Sequence, residues 1–178
     1  MSDARKKHAK QAAPAPAAPQ PAPAGTKAGV VPWPPLIYLA AIAVSVILHA
    51  VYPLPWLGPP MSDILVAVGW LALLAMAALY FTAFRAMTRA KTPINPNTPP
   101  EHLVTEGPFG VTRNPIYLAD TLIYCGVGAL LDSLWPWLLL PLLIYCMQRA
   151  VIVHEEHLLT RLFDDEYRTY RRRVRRWL

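Results

Sequence analysis

Charge is scarce in this 178-residue chain: Asp, Glu, Lys and Arg make up 16% of it, while 54% is hydrophobic. No charged residue occurs between Lys27 and Asp63, and none from Ile64 to Phe84. Such gaps argue against a purely soluble domain, and they approach the ~20 apolar residues that cross a bilayer as a helix. Cysteine is limited to Cys125 and Cys146, both inside apolar segments, which reads as packing and says little about redox compartment. No Gly-rich phosphate loop follows a strand, the H-E-x-x-H spacing of a zinc helix is missing, and there is no nucleophile elbow. The basic start, RKKHAK, is not followed directly by an apolar run, so the N-terminus does not read as a signal peptide.

What the chain does have is long apolar runs with all its positive charge on one side of them. Residues 1–33 read as a disordered tail, because the run QAAPAPAAPQPAPAG buries too little apolar surface to fold and favours polyproline II. Four spans follow, at about Leu36–Tyr52, Ile64–Phe84, Pro115–Leu131 and Leu134–Val153. Only Asp132-Ser133 separates the last two, which predicts a tight helical hairpin, and Pro136 and Pro141 predict a kink in the fourth. Gly126 and Gly128, inside the third span, suit close helix packing. Trp33, Trp56, Trp135 and Trp137 fall near span ends, as interfacial aromatics do. Of the 17 Lys and Arg, five lie in the tail, four between Arg85 and Arg113 and eight from Arg149 onward, and none in 53–63 or 132–133. The positive-inside rule then places both termini and the Arg85–Arg113 loop in the cytoplasm, in an inner or plasma membrane. After the last span, Leu158, Leu159, Leu162, Phe163, Tyr167, Tyr170, Val174 and Trp177 recur at steps of three and four between arginines. That pattern predicts an interfacial helix lying on lipid, with no need for a nucleic-acid partner. The expected fold is all-α: a polytopic membrane helical bundle of about four transmembrane helices, the last two a hairpin, with a C-terminal amphipathic helix. Residues 34–178 form that domain, with its motifs in 85–178.

The polar residues gather in two places on the same predicted face. Glu101–Asp120 carries the breaker pairs Gly107-Pro108 and Asn114-Pro115, with His102, Thr105, Glu106, Thr112 and Arg113 around them. Pro115 suits the first turn of a helix, and Asn114 suits the cap before it. Glu155 and Glu156 stand where the fourth span meets the C-terminal helix. Neighbours on a helix point about 100° apart, so one glutamate can face a ligand while the other faces solvent or pairs with an arginine. His102, His154, Glu155 and His157 lack metal-ligand spacing, and no metal is expected. Asp120, about one turn into the third span, is expensive in lipid and should face the protein interior, against a ligand, Arg113 or His49.

The order LVTEGPF, three residues, RNPIYL, and later EE-x2-L-x3-F-x3-Y-x2-Y-x3-VRRW resembles the isoprenylcysteine carboxyl methyltransferase and phospholipid methyltransferase family over about 85–178. The resemblance implies an integral membrane enzyme that takes a methyl group from S-adenosylmethionine. It places the cofactor contacts at Leu103, Val104, Phe109, Asn114, Pro115, Ile116, Tyr117 and Glu155. Asn114 stands where prenylcysteine enzymes usually have His, Phe109 where they often have Tyr, and Val151 where their substrate-orienting Arg falls. Methyl transfer from a sulfonium is an in-line displacement, so catalysis is chiefly alignment. Arg113, as a holder of carboxylate or phosphate, and Glu156 are the candidate catalytic residues. The implied acceptor is an amphiphilic small molecule or lipidated group in the bilayer. It is a carboxylate in an isoprenylcysteine O-methyltransferase-like reaction or an amine in phospholipid N-methylation. A non-catalytic membrane interaction module is the alternative, with Arg113 on lipid phosphate and Glu155 on Arg149.

Overall fold

The structure is a computed structural model that describes residues 33–55, 57–92, 100 and 102–178. The predicted tail up to residue 32, together with Trp56 and Glu101, lies outside the described residues. The rest is an all-α membrane helical bundle with no strand among the described residues. Helix α1 is Pro34–Val51, α2 is Met61–Arg89, α3 is Pro115–Leu130, α4 is Trp135–Met147 and α5 is Val153–Arg173. Prolines at the first turn open α1, α3 and α4, where the missing N–H leaves no intrahelical bond unmade. Helix α2 has 29 residues, about 43 Å at ~1.5 Å per residue, so it runs past the apolar core of a bilayer. Helix α3, with 16 residues, is shorter than the three helices that are long and apolar enough to span.

The fourth span and the C-terminal helix differ from their predicted separation. A π-helical turn, Gln148–Ile152, joins α4 to α5 into one helix over Trp135–Arg173, whose apolar part ends at the turn. The extra residue in that turn shifts the helix face, and it buries Val151 and Ile152. Asp164 interrupts α5 with a φ of 30°, so the segment carrying Tyr167 and Tyr170 bends away from the first two turns. Part of the apolar stripe of α5 turns toward the protein: Tyr167 and Tyr170 are buried, while Arg161, Arg168, Arg171, Arg172 and Arg173 are exposed.

Two devices set the packing. Between α2 and α3, Gly69 and Gly126 meet back to back; a methyl group on Gly126 would lie 2.9 Å from Leu73 Cδ2 and 3.2 Å from Gly69 O. Gly128 does the same for α4, where an added carbon would sit 2.7 Å from Pro136 Cβ. Across α1 and α3, buried hydroxyls satisfy one another, as polar groups in a bilayer must. Tyr38 Oη donates to Tyr117 O (3.2 Å) and lies 2.9 Å from Thr121 Oγ1, and Ser45 Oγ lies 3.1 Å from Tyr124 Oη. Tyr38, Tyr117, Tyr124, Leu143, Met147, Val151 and Ile152 form the core between α1, α3 and α4. At the far end, Leu134 N–H donates to Leu54 O (3.0 Å) and Trp135 Nε1–H to Tyr52 O (2.8 Å), joining the two charge-poor loops.

Gly126→Val is expected to lower the stability of the purified protein by about 1–3 kcal/mol, since the added carbons meet the fixed backbone of Gly69 and force the half-buried Leu73 side chain to shift. Gly58→Ala, which adds its carbon to open space, is the control. Thermal unfolding in detergent checks both, and equal midpoints would discount the close approach of α2 and α3.

Candidate active site

The start of α1, the end of α2, the start of α3 and the start of α5 all reach the same end of the bundle, and between them lies a cavity of about 1000 Å³. All ten residues singled out from the sequence line it: Leu103, Val104, Phe109, Arg113, Asn114, Pro115, Ile116, Tyr117, Glu155 and Glu156. Thr92 Oγ1 donates to His102 O (3.0 Å), which ties the segment before Leu103 to the end of α2. Gly107 takes a φ of 61°, a value glycine adopts without strain, and it opens the short 3₁₀ turn Gly107–Gly110 that turns Phe109 toward the cavity. Asn114 does occupy the cap position of α3, but its side chain makes no capping bond. Its Nδ2 donates instead to Arg176 O (2.9 Å).

That bond belongs to a strap formed by the C-terminal residues. Arg113 N–H donates to Arg175 O (2.9 Å), and Thr112 Oγ1 donates to Arg176 O (3.1 Å). Tyr170 Oη donates to Phe109 O (2.7 Å) from α5. Residues over sixty positions apart thus form one wall. Nothing in the local sequence of either segment signals this pairing, since both partners are backbone carbonyls and small polar groups. Tyr167, Tyr170 and Arg176 are accordingly the site residues that reading the chain alone missed. The tyrosines were visible in the helical stripe and, with Arg176, in the Y-x2-Y-x3-VRRW stretch that carries the family resemblance, but neither signal gave them a role in the site.

The two glutamates part as helix geometry requires. Glu155 turns into the cavity, where Tyr117 Oη donates to its Oε1 at 2.5 Å. Burial pushes its carboxyl up to about 7; the Tyr117 hydrogen bond opposes the rise and the charge of Glu156 adds to it. Glu156 is held by two arginines: Arg176 contacts both carboxylate oxygens (2.8 and 2.7 Å), and Arg113 Nη1 lies 3.0 Å from Oε1. Burial alone would raise its carboxyl, but the Arg176 bonds and both positive charges outweigh that and hold it below the ordinary range. Arg176 is raised by the same bonds. Burial raises Tyr167 as well, and pushes Tyr170 up to about 12. Arg113 keeps a buried Nε without a hydrogen-bond partner.

Other residues fall elsewhere than some of the sequence options placed them. Arg149 lies over the Tyr145 ring, 5.7 Å from its centre, and does not pair with Glu155. His154 and His157 are exposed. Asp120 faces the interior and lines the cavity, but its partner is the Tyr80 hydroxyl, neither Arg113 nor His49. Among the described residues, no three His, Cys, Asp or Glu side chains converge as a metal cluster.

The profile described as phospholipid methyltransferase matches residues 64–166, a stretch holding eight of the helix- and loop-borne cavity residues named above from Leu103 to Tyr117 as well as both glutamates. The "Nickel-cobalt-cadmium resistance protein NccN" of Alcaligenes xylosoxydans xylosoxydans is 39% identical over 72 residues, 40% of this chain and 33% of that protein. The "Cobalt-zinc-cadmium resistance protein CzcN" of Cupriavidus metallidurans is 38% identical over 72 residues, with the same coverage of 40% and 33%. The aligned region therefore spans about a third of the length of these curated relatives. No solved structure matches.

Proposed function

We propose, from the premise that this chain belongs to the phospholipid methyltransferase family, that it is an S-adenosylmethionine-dependent methyltransferase acting on an amphiphilic acceptor in the membrane. The observation that carries this reading is the meeting of two distant motifs, residues 103–117 and Glu155, around one cavity at one end of a membrane bundle.

The cavity's residues fit the cofactor. Glu155 is a buried carboxylate with a single hydrogen-bond donor, suited to a cation, and Arg113 offers a buried, unused Nε–H to a carboxylate. Leu103, Val104, Phe109 and Ile116 supply apolar walls and backbone groups for a flat base, while Asn114 and Pro115 hold the turn between them and α3. When bound, S-adenosylmethionine supplies an electrophilic methyl group. The chain's part is alignment: Tyr117 orients Glu155, and Glu156 fixes Arg113 while itself anchored by Arg176. In this arrangement Glu156 acts as a positioning group, since a carboxylate held ionised between two arginines is a weak base. The acceptor is a lipidic or prenylated molecule, carrying either a carboxylate or a phospholipid amine. It reaches the cavity along the apolar side bordered by Trp33, Tyr80 and Phe84. Both termini and the cavity face the cytoplasm, in keeping with the one-sided distribution of Lys and Arg.

Labelled-cofactor binding to the detergent-purified protein tests the reading, and no binding at about 1 mM would end it. The pH dependence is a sharper outcome. Glu155, with its carboxyl near 7 in the free protein, is protonated below that value, whereas a cation requires its carboxylate. Affinity is therefore expected to fall as pH drops from about 8 to about 6, by up to about tenfold per unit, with proton release on binding in the acid range. Glu155→Gln should flatten this profile.

A further inference from the structure

Asp120 sits three residues after Tyr117 on α3, so the two side chains share a helix face. It is only 4% exposed and lines the cavity. Tyr80, on α2, donates its hydroxyl to Asp120 Oδ1. Oδ2 is buried and has no hydrogen-bond partner. An ionisable group at this depth is costly to keep, and its link to α2 through Oδ1 accounts for one oxygen and leaves Oδ2 unexplained.

The charges around it suggest what it matches. Besides Asp120, the ionisable side chains bordering the cavity, tyrosines aside, are His102, Arg113, Glu155 and Glu156. Glu156 is taken up by Arg113 and Arg176. On the methyltransferase reading above, on which this step rests, Glu155 faces the positive side of the cofactor and Arg113 its carboxylate. The carboxylate that remains for the acceptor is Asp120, about one turn further into α3 than Tyr117. A carboxylate acceptor would be repelled there, while an ammonium group would find both a counter-charge and a free oxygen.

We infer that Asp120 Oδ2 receives the amino head of an amine-bearing amphiphile and takes a proton from it, which makes Asp120 a further catalytic residue. An alkylammonium has no lone pair to offer, and its pKa, about that of lysine at ~10.4, keeps it charged in water. In the step assigned to Asp120, an N–H bond breaks and its electron pair stays on nitrogen. The proton forms an O–H bond at Oδ2, leaving a neutral amine and a neutral acid. The Tyr80 hydroxyl on Oδ1 keeps Oδ2 directed at the cavity.

The full-length protein, reconstituted with total membrane lipid and methyl-labelled S-adenosylmethionine, tests this. Label is expected in base-stable N-methyl lipid, and it should vanish when the lipid amines are acylated beforehand. A base-labile methyl ester, label indifferent to acylation, or no labelled lipid would overturn the inference. Asp120→Asn should reduce transfer by more than about tenfold while cofactor binding stays within about threefold, and a smaller loss of transfer would overturn it. A readout without cofactor is the unfolding temperature. A long-chain primary amine should raise it for the wild type and not for Asp120→Asn, and the carboxylic acid of equal chain length should raise neither. Stabilisation by the acid in preference to the amine would count against Asp120. If Asp120→Asn does not fold, the wild-type product and the amine–acid comparison decide alone. Failure of the wild type to bind S-adenosylmethionine would remove the methyltransferase reading and this inference together. Cofactor binding with a methyl ester as product would remove only the inference.

Discussion

Glu155→Gln is expected to weaken S-adenosylmethionine binding by about 30- to 150-fold at neutral to mildly alkaline pH. The magnitude follows from losing a charge-assisted contact in a buried site, about 2–3 kcal/mol, with ~1.4 kcal/mol for each factor of ten. Glutamine keeps the size and can still accept from Tyr117, so the loss isolates the charge. S-adenosylhomocysteine, whose sulfur is neutral, should lose much less. Tyr117→Phe should cost about fivefold, because it removes the donor to Glu155 Oε1 and leaves the carboxylate in place. The same Glu155→Gln change should leave the ligand-free protein at least as stable as the wild type, since it removes a buried carboxylate whose charged form burial disfavours. Calorimetry for binding and thermal unfolding for stability separate the two effects. Unchanged affinity in both variants would refute the assignment of Glu155 to the cofactor.

The second large effect is expected from the last five residues. A chain ending at Arg173 loses Arg175 O and Arg176 O, the acceptors for Arg113 N–H, Thr112 Oγ1 and Asn114 Nδ2. It also loses both Arg176 bonds to Glu156. Thr112 is 2% exposed, so its buried hydroxyl would lose its acceptor and keep only the Asn114 N–H that donates to it, and Arg113 would be left with Tyr167 and a singly paired Glu156. Methyl transfer should fall at least 100-fold, about 3 kcal/mol or more, because several bonds are lost around one turn. The bundle should survive with a lower unfolding temperature, since the cross-links of Tyr38, Ser45 and Tyr80 to α3 remain while Trp177, which packs against the core, is lost. Arg176→Ala separates the components. It keeps the backbone strap and removes only the ion pair, whose arginine is partly exposed, so the loss should be about 10-fold. Circular dichroism beside a transfer assay checks this pair, and a truncated chain with full activity would show that the strap is dispensable.

The bundle was legible because its signals are one-dimensional. Uncharged stretches, prolines at helix starts and the one-sided Lys and Arg are properties of consecutive residues, and the starts of α1 to α4 fall within three positions of those read from them, while α2 runs five residues further and α4 passes into the π-helical turn. The candidate site was legible in part for another reason. Gly107-Pro108 and Asn114-Pro115 mark a fixed turn, and two adjacent glutamates on a helix must face different ways. Helix periodicity alone does not say which glutamate faces inward, and only the family resemblance picked Glu155, because the phase depends on the π-helical turn at Gln148–Ile152, whose extra residue sets the orientation of everything after it. The C-terminal stripe shows the same limit. A spacing of three and four says that one face of α5 is apolar, and it does not say whether that face meets lipid or a cavity. Asp164, with its positive φ, bends the helix so that Tyr167 and Tyr170 meet Phe109 and Arg113.

The chain by itself determined a membrane bundle of helices, its polar end, and the residue types gathered there, because hydropathy and backbone restriction act between near neighbours. Only the tertiary structure decided that Glu155 would be paired with Tyr117, Glu156 with Arg113 and Arg176, and Asp120 with Tyr80. Those pairings join segments from 20 to 43 positions apart through hydrogen bonds formed only once the helices have packed. Contacts of that kind leave no periodic trace along a sequence.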